Sequence, residues 1–109
     1  MTLWGDEDNR TETMLQNKAG DRGVSLTFST TELPYFTLWK NTTALKDGYV
    51  TGIEPGNVSV LGRVWNRKHN TLQYIQPGEV REFHMEIGVL DGENEIRAFE
   101  RQVRRGVKK

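Results

Sequence analysis

The sequence contains no cysteine. Disulfide frameworks, thiolate metal sites and cysteine nucleophiles are therefore excluded. It has no apolar run long enough to cross a bilayer. It has no excess of either charge: 15 Lys and Arg balance 15 Asp and Glu. A neutral chain has no electrostatic footprint for nucleic acid or anionic lipid, so neither is an expected partner. The basic last stretch "RQVRRGVKK" reads as a solvated helix end. Apolar residues are also scarce, 35% of 109, which is one domain's length with little material for a core. The acidic start "MTLWGDEDNR" lacks the basic-then-apolar layout of a signal peptide, and a cytoplasmic protein is the expectation. His69 and His84 do not make a His-x-x-x-His pair, and neither a Gly-rich phosphate loop nor Gly-x-Ser-x-Gly occurs. No metal and no cofactor are expected.

What is present is mostly β pattern. Residues 1–10 are polar without periodicity and predict a loosely held end. "TETMLQNK" is compatible with a strand, and "AGDRG" has the glycines and Asp of a hairpin turn. In "VSLTFST", Val24, Leu26 and Phe28 alternate with polar residues, the pattern of a half-buried strand. "LPYFTLWK" sets Phe36 and Leu38 on one face and Tyr35, Thr37 and Trp39 on the other, with Pro34 at the entry. "YVTGIE" predicts a strand over 49–54, ended by a Pro55-Gly56 turn. The stretch 55–79 reads as irregular, with a short strand near Leu72–Ile75, and closes on the type II turn signature "QPGE". "EVREFHMEIGVL" (79–90) has the strongest strand pattern, predicting Phe83, Met85, Ile87 and Val89 as a central buried row. The period then changes. Ile96, Phe99 and Val103 make a helical stripe, acidic residues open it and arginines close it, with Asp91 or Asn94 as N-cap. A helix over 93–105 follows. The expected architecture is antiparallel β with one C-terminal helix, in a single partial β-sandwich domain over 1–109. Its apolar faces leave three expectations: a small open sheet, pairing with other copies, or a partner chain or larger body that completes the sheet.

One residue stands out for chemistry. Glu54 ends an apolar strand, and Pro55 fixes its own φ and biases Glu54 toward an extended backbone. A carboxylate on rigid backbone is what a general base requires. A solvated turn glutamate is the plainer alternative. Tyr35, Trp39, Tyr49 and Trp65 lie in or near the neighbouring segments. Aromatic faces beside polar groups suit sugar rings, although ordinary packing uses the same residues.

"LPYFTLWKNT", "DGYVTGIEPG" and "QPGEVREFHMEIGVL", in that order, resemble the C-terminal part of aldose 1-epimerase-like proteins of the galactose mutarotase superfamily, in its uncharacterised bacterial branch. The resemblance spans about residues 11–100. It implies a segment of a large β-supersandwich with the sugar site on the concave sheet, and interconversion of the α and β anomers of free aldoses without a cofactor. It places Glu54 where the family has its anomeric base, with "PGE" downstream as the family has it. Tyr35 and Trp39, together with Asn57, Arg63 and Asn66 on the loop after the base, become candidate contacts to an aldose monosaccharide. Family members are considerably longer, and their catalytic histidines and sugar-binding Arg and Asp lie upstream of the matching part. A truncated protein, weakly active or inactive alone, is therefore the expectation. A base without its acid partner loses on the order of 10²–10⁴ in rate. The rival expectation is a non-catalytic β-sheet module that self-assembles.

Overall fold

The structure is a computed structural model and describes residues 5, 7–41 and 43–107. Among the described residues five strands form two antiparallel sheets. β1 (Arg10–Gln16) and β2 (Arg22–Ser29) are a hairpin in which Thr13 faces Leu26 and Leu15 faces Val24. Its turn is built by Asn17, whose Oδ1 accepts from the amides of Asp21 and Arg22 at 3.1 and 3.2 Å. Gly20 completes it at φ 73°, a value that suits a residue without Cβ. The other edge of β2 pairs with β5 (Met85–Asp91), giving the order β1-β2-β5. β3 (Tyr35–Lys40) and β4 (Thr51–Gly56) form the second sheet, joined by a connection with a 3-10 turn at Leu45–Asp47.

The register divides the larger sheet into two faces. One carries Leu15 from β1, Val24, Leu26 and Phe28 from β2, and Met85, Ile87 and Val89 from β5. At one end of this face Leu26, Phe28 and Leu33 are buried, with Phe36 and Ile53 of the second sheet packed against them. Phe28 and Phe36 stack with ring centroids 6.1 Å apart. This small core joins the two sheets.

The opposite face is covered by the C-terminal helix α2 (Glu93–Val107; the short helix of residues 63–68 is α1). Ile96 is buried there, and Phe99 and Val103 are half-buried, as the helical stripe predicts. The helix can approach because the sheet beneath it is lined with small residues. Ser25 is buried, and a Cβ on the neighbouring Gly88 would lie 2.5 Å from its Oγ. Gln102 ties the helix to β1 by donating to Glu12 at 2.6 Å. The helix is preceded by Gly92, not capped by Asp91 or Asn94. Asp91 ends β5, and Asn94 is inside the helix. The reaching-back contact is made instead by Glu95, whose carboxylate accepts from the Asp91 amide at 2.7 Å.

Other expectations are corrected. β4 does not stop at Glu54. It runs on through Pro55 and Gly56, which pair with Phe36 and Tyr35. Proline fits because β4 is paired on one side only, so an edge position without a donor is available. No strand forms near Leu72–Ile75, and α1 (Arg63–Lys68) occupies part of the stretch read as irregular. It escapes detection because it is short and has no apolar stripe: Val64 is 78% exposed, and its one buried side chain is Asn66. The strand read over 79–90 begins only at Met85. Its apolar row alternates as expected but is not buried. Met85, Ile87 and Val89 are 43%, 69% and 80% exposed, and Phe83, ahead of the strand, is 47%. The second sheet covers only the Phe28 end of this face, and β5 lies at an edge. The type II turn is present: Gly78 has φ 79°, and the Glu79 amide donates to the Gln76 carbonyl. Residues 1–4 and 6 of the end expected to be loosely held lie outside the described residues; Asn9 is held, its carbonyl accepting from the amide and the hydroxyl of Thr30.

Candidate functional site

Strand alternation and register together decide which side chains share the outer face of the β3–β4 hairpin. Phe36 and Ile53 point into the core. The alternate residues therefore point outward: Tyr35, Thr37 and Trp39 from β3, and Gly52, Glu54 and Gly56 from β4. Across the ladder Thr37 faces Glu54, Tyr35 faces Gly56 and Trp39 faces Gly52. A carboxylate thus stands between two aromatic residues, and each aromatic has a glycine as its neighbour on the other strand. Directly opposed Cβ atoms in such a ladder are about 5 Å apart, so the three pairs form one continuous patch. Gly56 leaves the floor beside Tyr35 open, while the space over Gly52, across from Trp39, holds the end of the Glu54 side chain. Trp39 is 49% exposed, and Glu54 is exposed. The carboxylate does not stand straight out. It folds back along its own strand over Gly52, where an added Cβ would lie 2.5 Å from Glu54 Oε1.

Three of the expected site residues, Glu54, Tyr35 and Trp39, are therefore brought together. Asn57, one residue past β4, is half-buried and lines a cleft of about 240 Å³ with Glu32, Gln73, Arg81 and Phe83. Arg63 is exposed at the first position of α1. Asn66 faces inward and organises its loop. Its Nδ2 donates to the carbonyls of Gly62 and Ser59, and its Oδ1 accepts from the hydroxyls of Ser59 and Thr71. Of the other aromatics, Tyr49 lies just ahead of β4, and Trp65 stacks on His69 at 3.9 Å. Thr37 and Gly52 were not singled out from the sequence. Alternation within β3 gives Thr37 a place beside Tyr35 and Trp39, but the role of Gly52 depends on the register.

The rim of the cleft is charged. His84 donates its backbone amide to Glu32 Oε1 at 2.6 Å, and its ring Nδ1 lies 3.2 Å from Oε2. The amide bond and then the imidazole hold the Glu32 carboxyl below its ordinary value. Arg81 lowers Glu79 in the same way through a 2.8 Å contact, and its guanidinium also reaches Gln73 and the Tyr74 carbonyl. Neither histidine is on the β3–β4 hairpin: His69 follows α1, and His84 precedes β5. Among the described residues no three His, Asp or Glu side chains converge as a metal donor set would, and no helix is long and apolar enough to cross a membrane.

The family described as "Domain of unknown function (DUF4432)" matches residues 1–89. The chain belongs to that family. A solved structure from Klebsiella pneumoniae subsp. pneumoniae MGH 78578, titled a "putative aldose 1-epimerase", superposes with a TM-score of 0.88 and is 37% identical over 96% of this chain. The resemblance in "YFTLWKNT" and "GIEPG" therefore extends to nearly the whole of this DUF4432 chain, which is a mainly antiparallel β segment of an aldose epimerase-like fold with a C-terminal helix. The chain spans 27% of the length of the Klebsiella protein. None of the curated proteins matches it.

Proposed function

We propose that the outer face of the β3–β4 hairpin binds an aldose, and that Glu54 is the base that takes the proton from its anomeric hydroxyl. The observation that carries the proposal is the Tyr35–Gly56, Thr37–Glu54, Trp39–Gly52 ladder. Sugar rings present C–H faces that lie against aromatic rings and hydroxyls that need charged or polar partners. The ladder offers both within one patch, with the Glu54 carboxylate lying over Gly52 across from Trp39 and open space over Gly56 across from Tyr35. Similarity to the protein titled a "putative aldose 1-epimerase" supports the same chemistry.

In the proposed reaction the Glu54 carboxylate accepts the O1 proton, the C1–ring oxygen bond breaks, and the ring oxygen takes a proton from an acid. Ring closure on the other face of C1 gives the other anomer, as the ring oxygen returns its proton to the conjugate base of the acid and Glu54 returns its proton to O1. The hairpin supplies the base and the stacking surface. The hairpin carries neither histidine to serve as that acid. Weak turnover by this chain alone is the consequence, on the order of 10²–10⁴ below a site with both groups. The proposal extends hydroxyl contacts to Asn57 and Arg63, with Asn66 fixing α1, which carries Arg63. The proposed reaction belongs to carbohydrate metabolism, and the proposal takes the protein to be cytoplasmic.

Titration with D-galactose or D-glucose, followed by tryptophan fluorescence, tests the binding step. A saturable change that disappears in Trp39→Phe is expected; no saturable change would overturn the proposal. A second reading, self-assembly through the open sheet face, is favoured by the exposure of Leu15, Val24, Ile87 and Val89 on one surface. Its occupant would be a second copy of this chain, whose balanced charge opposes no such contact. Light scattering separates the two: a monodisperse monomer excludes assembly, and sugar-independent dimers without a fluorescence change favour it.

A further inference from the structure

The geometry points to Gly52 as the positioning residue for the Glu54 carboxylate; this inference rests on the role proposed for Glu54 above. Gly52 and Glu54 are two apart on one strand and share its outer face. In such a strand the residue at i−2 fills the space beside residue i with its own side chain. Here that space is empty, and the Glu54 side chain lies in it. A Cβ built on Gly52 would sit 2.5 Å from Oε1, 3.2 Å from Cδ and 3.4 Å from Cγ of Glu54. Oε1 lies inside the volume a methyl group would take, Cδ is closer to it than an ordinary contact, and Cγ is at its edge.

Nothing about the backbone demands glycine at this position. Five glycines have positive φ, namely Gly20, Gly48, Gly62, Gly78 and Gly92, and Gly52 is not among them. Nor does the methyl meet the neighbouring strand: its three nearest atoms all belong to the Glu54 side chain. Folding therefore tolerates alanine, while the Glu54 rotamer does not. The position opposite Gly52 belongs to Trp39, so the slot holds the carboxylate low and beside the stacking surface. A carboxylate pushed out of the slot must stand away from the face or turn toward Thr37. In either case it leaves the place from which it meets a hydroxyl of a ring stacked on Trp39.

The test has two arms on the full chain. The first is Glu54 side-chain NMR in the wild type and in Gly52→Ala, with a thermal melt of each. Expected are contacts between Glu54 Hγ and Gly52 Hα in the wild type, a changed Glu54 χ1 coupling in the variant, and no fall in melting temperature. An unchanged Glu54 rotamer in Gly52→Ala would overturn the inference, as would a variant that unfolds. The second arm is D-galactose affinity, read by tryptophan fluorescence, in Gly52→Ala, Glu54→Ala and the double variant. Loss of a charge-assisted hydrogen bond weakens binding by roughly 10- to 100-fold. Gly52→Ala is expected to approach the loss in Glu54→Ala, and the double variant to be no worse than Glu54→Ala alone. Additive losses would mean that Gly52 acts independently of Glu54. If Glu54→Ala weakens binding and Gly52→Ala does not, the positioning role alone falls. If Glu54→Ala leaves affinity unchanged, the role of Glu54 falls, and the rotamer arm still decides what Gly52 does.

Discussion

Replacing Phe28 by Ala should remove most of the stability of this chain. Phe28 has no solvent exposure, stacks on Phe36, and packs with Leu26 and Leu33 at the one place where the two sheets meet. Truncating a fully buried Phe costs about 3–5 kcal/mol. A chain of 109 residues at typical stability per residue has roughly 5–15 kcal/mol in all. Only Leu26, Phe28, Leu33 and Ile96 are buried apolar side chains among the described residues, which puts this chain near the lower bound. Phe83→Ala is the control. Its ring is 47% exposed, so about half of the transfer gain of a buried Phe is at stake, about 1 kcal/mol. Urea unfolding followed by circular dichroism measures both, with the slope checked for constancy so that midpoints compare stabilities. Midpoints of the two variants that coincide, or a larger loss from Phe83→Ala, would refute the placement of the core at the Phe28–Phe36 contact.

Asn66→Ala should cost about 1–3 kcal/mol, because it takes the side-chain partner from the Ser59 hydroxyl and carbonyl and leaves the Thr71 hydroxyl and the Gly62 carbonyl with only their bonds to the residue-66 backbone; chemical denaturation reads it. Glu32→Gln should lower stability at neutral pH and make no difference in strong acid. A carboxyl held below its ordinary value of 4.5 stabilises the fold above that value, and the contribution is lost as pH falls through the lower folded value. Melting curves of both proteins from neutral to strongly acidic pH should therefore converge. In the Klebsiella protein carrying this segment in place of its own, Glu54→Gln should reduce mutarotation of α-D-galactose by roughly two to four orders of magnitude without lowering the melting temperature, as polarimetry would show.

The local patterns that were legible in the sequence are those set by short-range physics. The alternation of Val24, Leu26 and Phe28 gave β2, the Ile96, Phe99 and Val103 stripe gave α2, and "QPGE" gave its turn. Burial was less legible because it depends on what lies opposite. Met85, Ile87 and Val89 alternate as well as Leu26 and Phe28 do, yet the second sheet reaches only the latter. Proline misled at residue 55 for a similar reason: whether it ends a strand or sits within one depends on whether that edge is paired. The helix α1 is held by the hydrogen bonds of Asn66 and leaves no apolar period to read. For the site, alternation put Tyr35 and Trp39 on one face from the sequence alone. That Glu54 is across from Thr37, with a glycine across from each aromatic, required the pairing register.

Amide chemical shifts of the ¹⁵N-labelled chain during titration with D-galactose test the central claim, that the outer face of the β3–β4 hairpin is a sugar-binding face. Saturable shifts confined to Tyr35, Thr37, Trp39, Gly52, Glu54 and their immediate neighbours are the predicted result. Saturable shifts centred on β1, β5 or α2 instead, or no saturable shift at all, would contradict it.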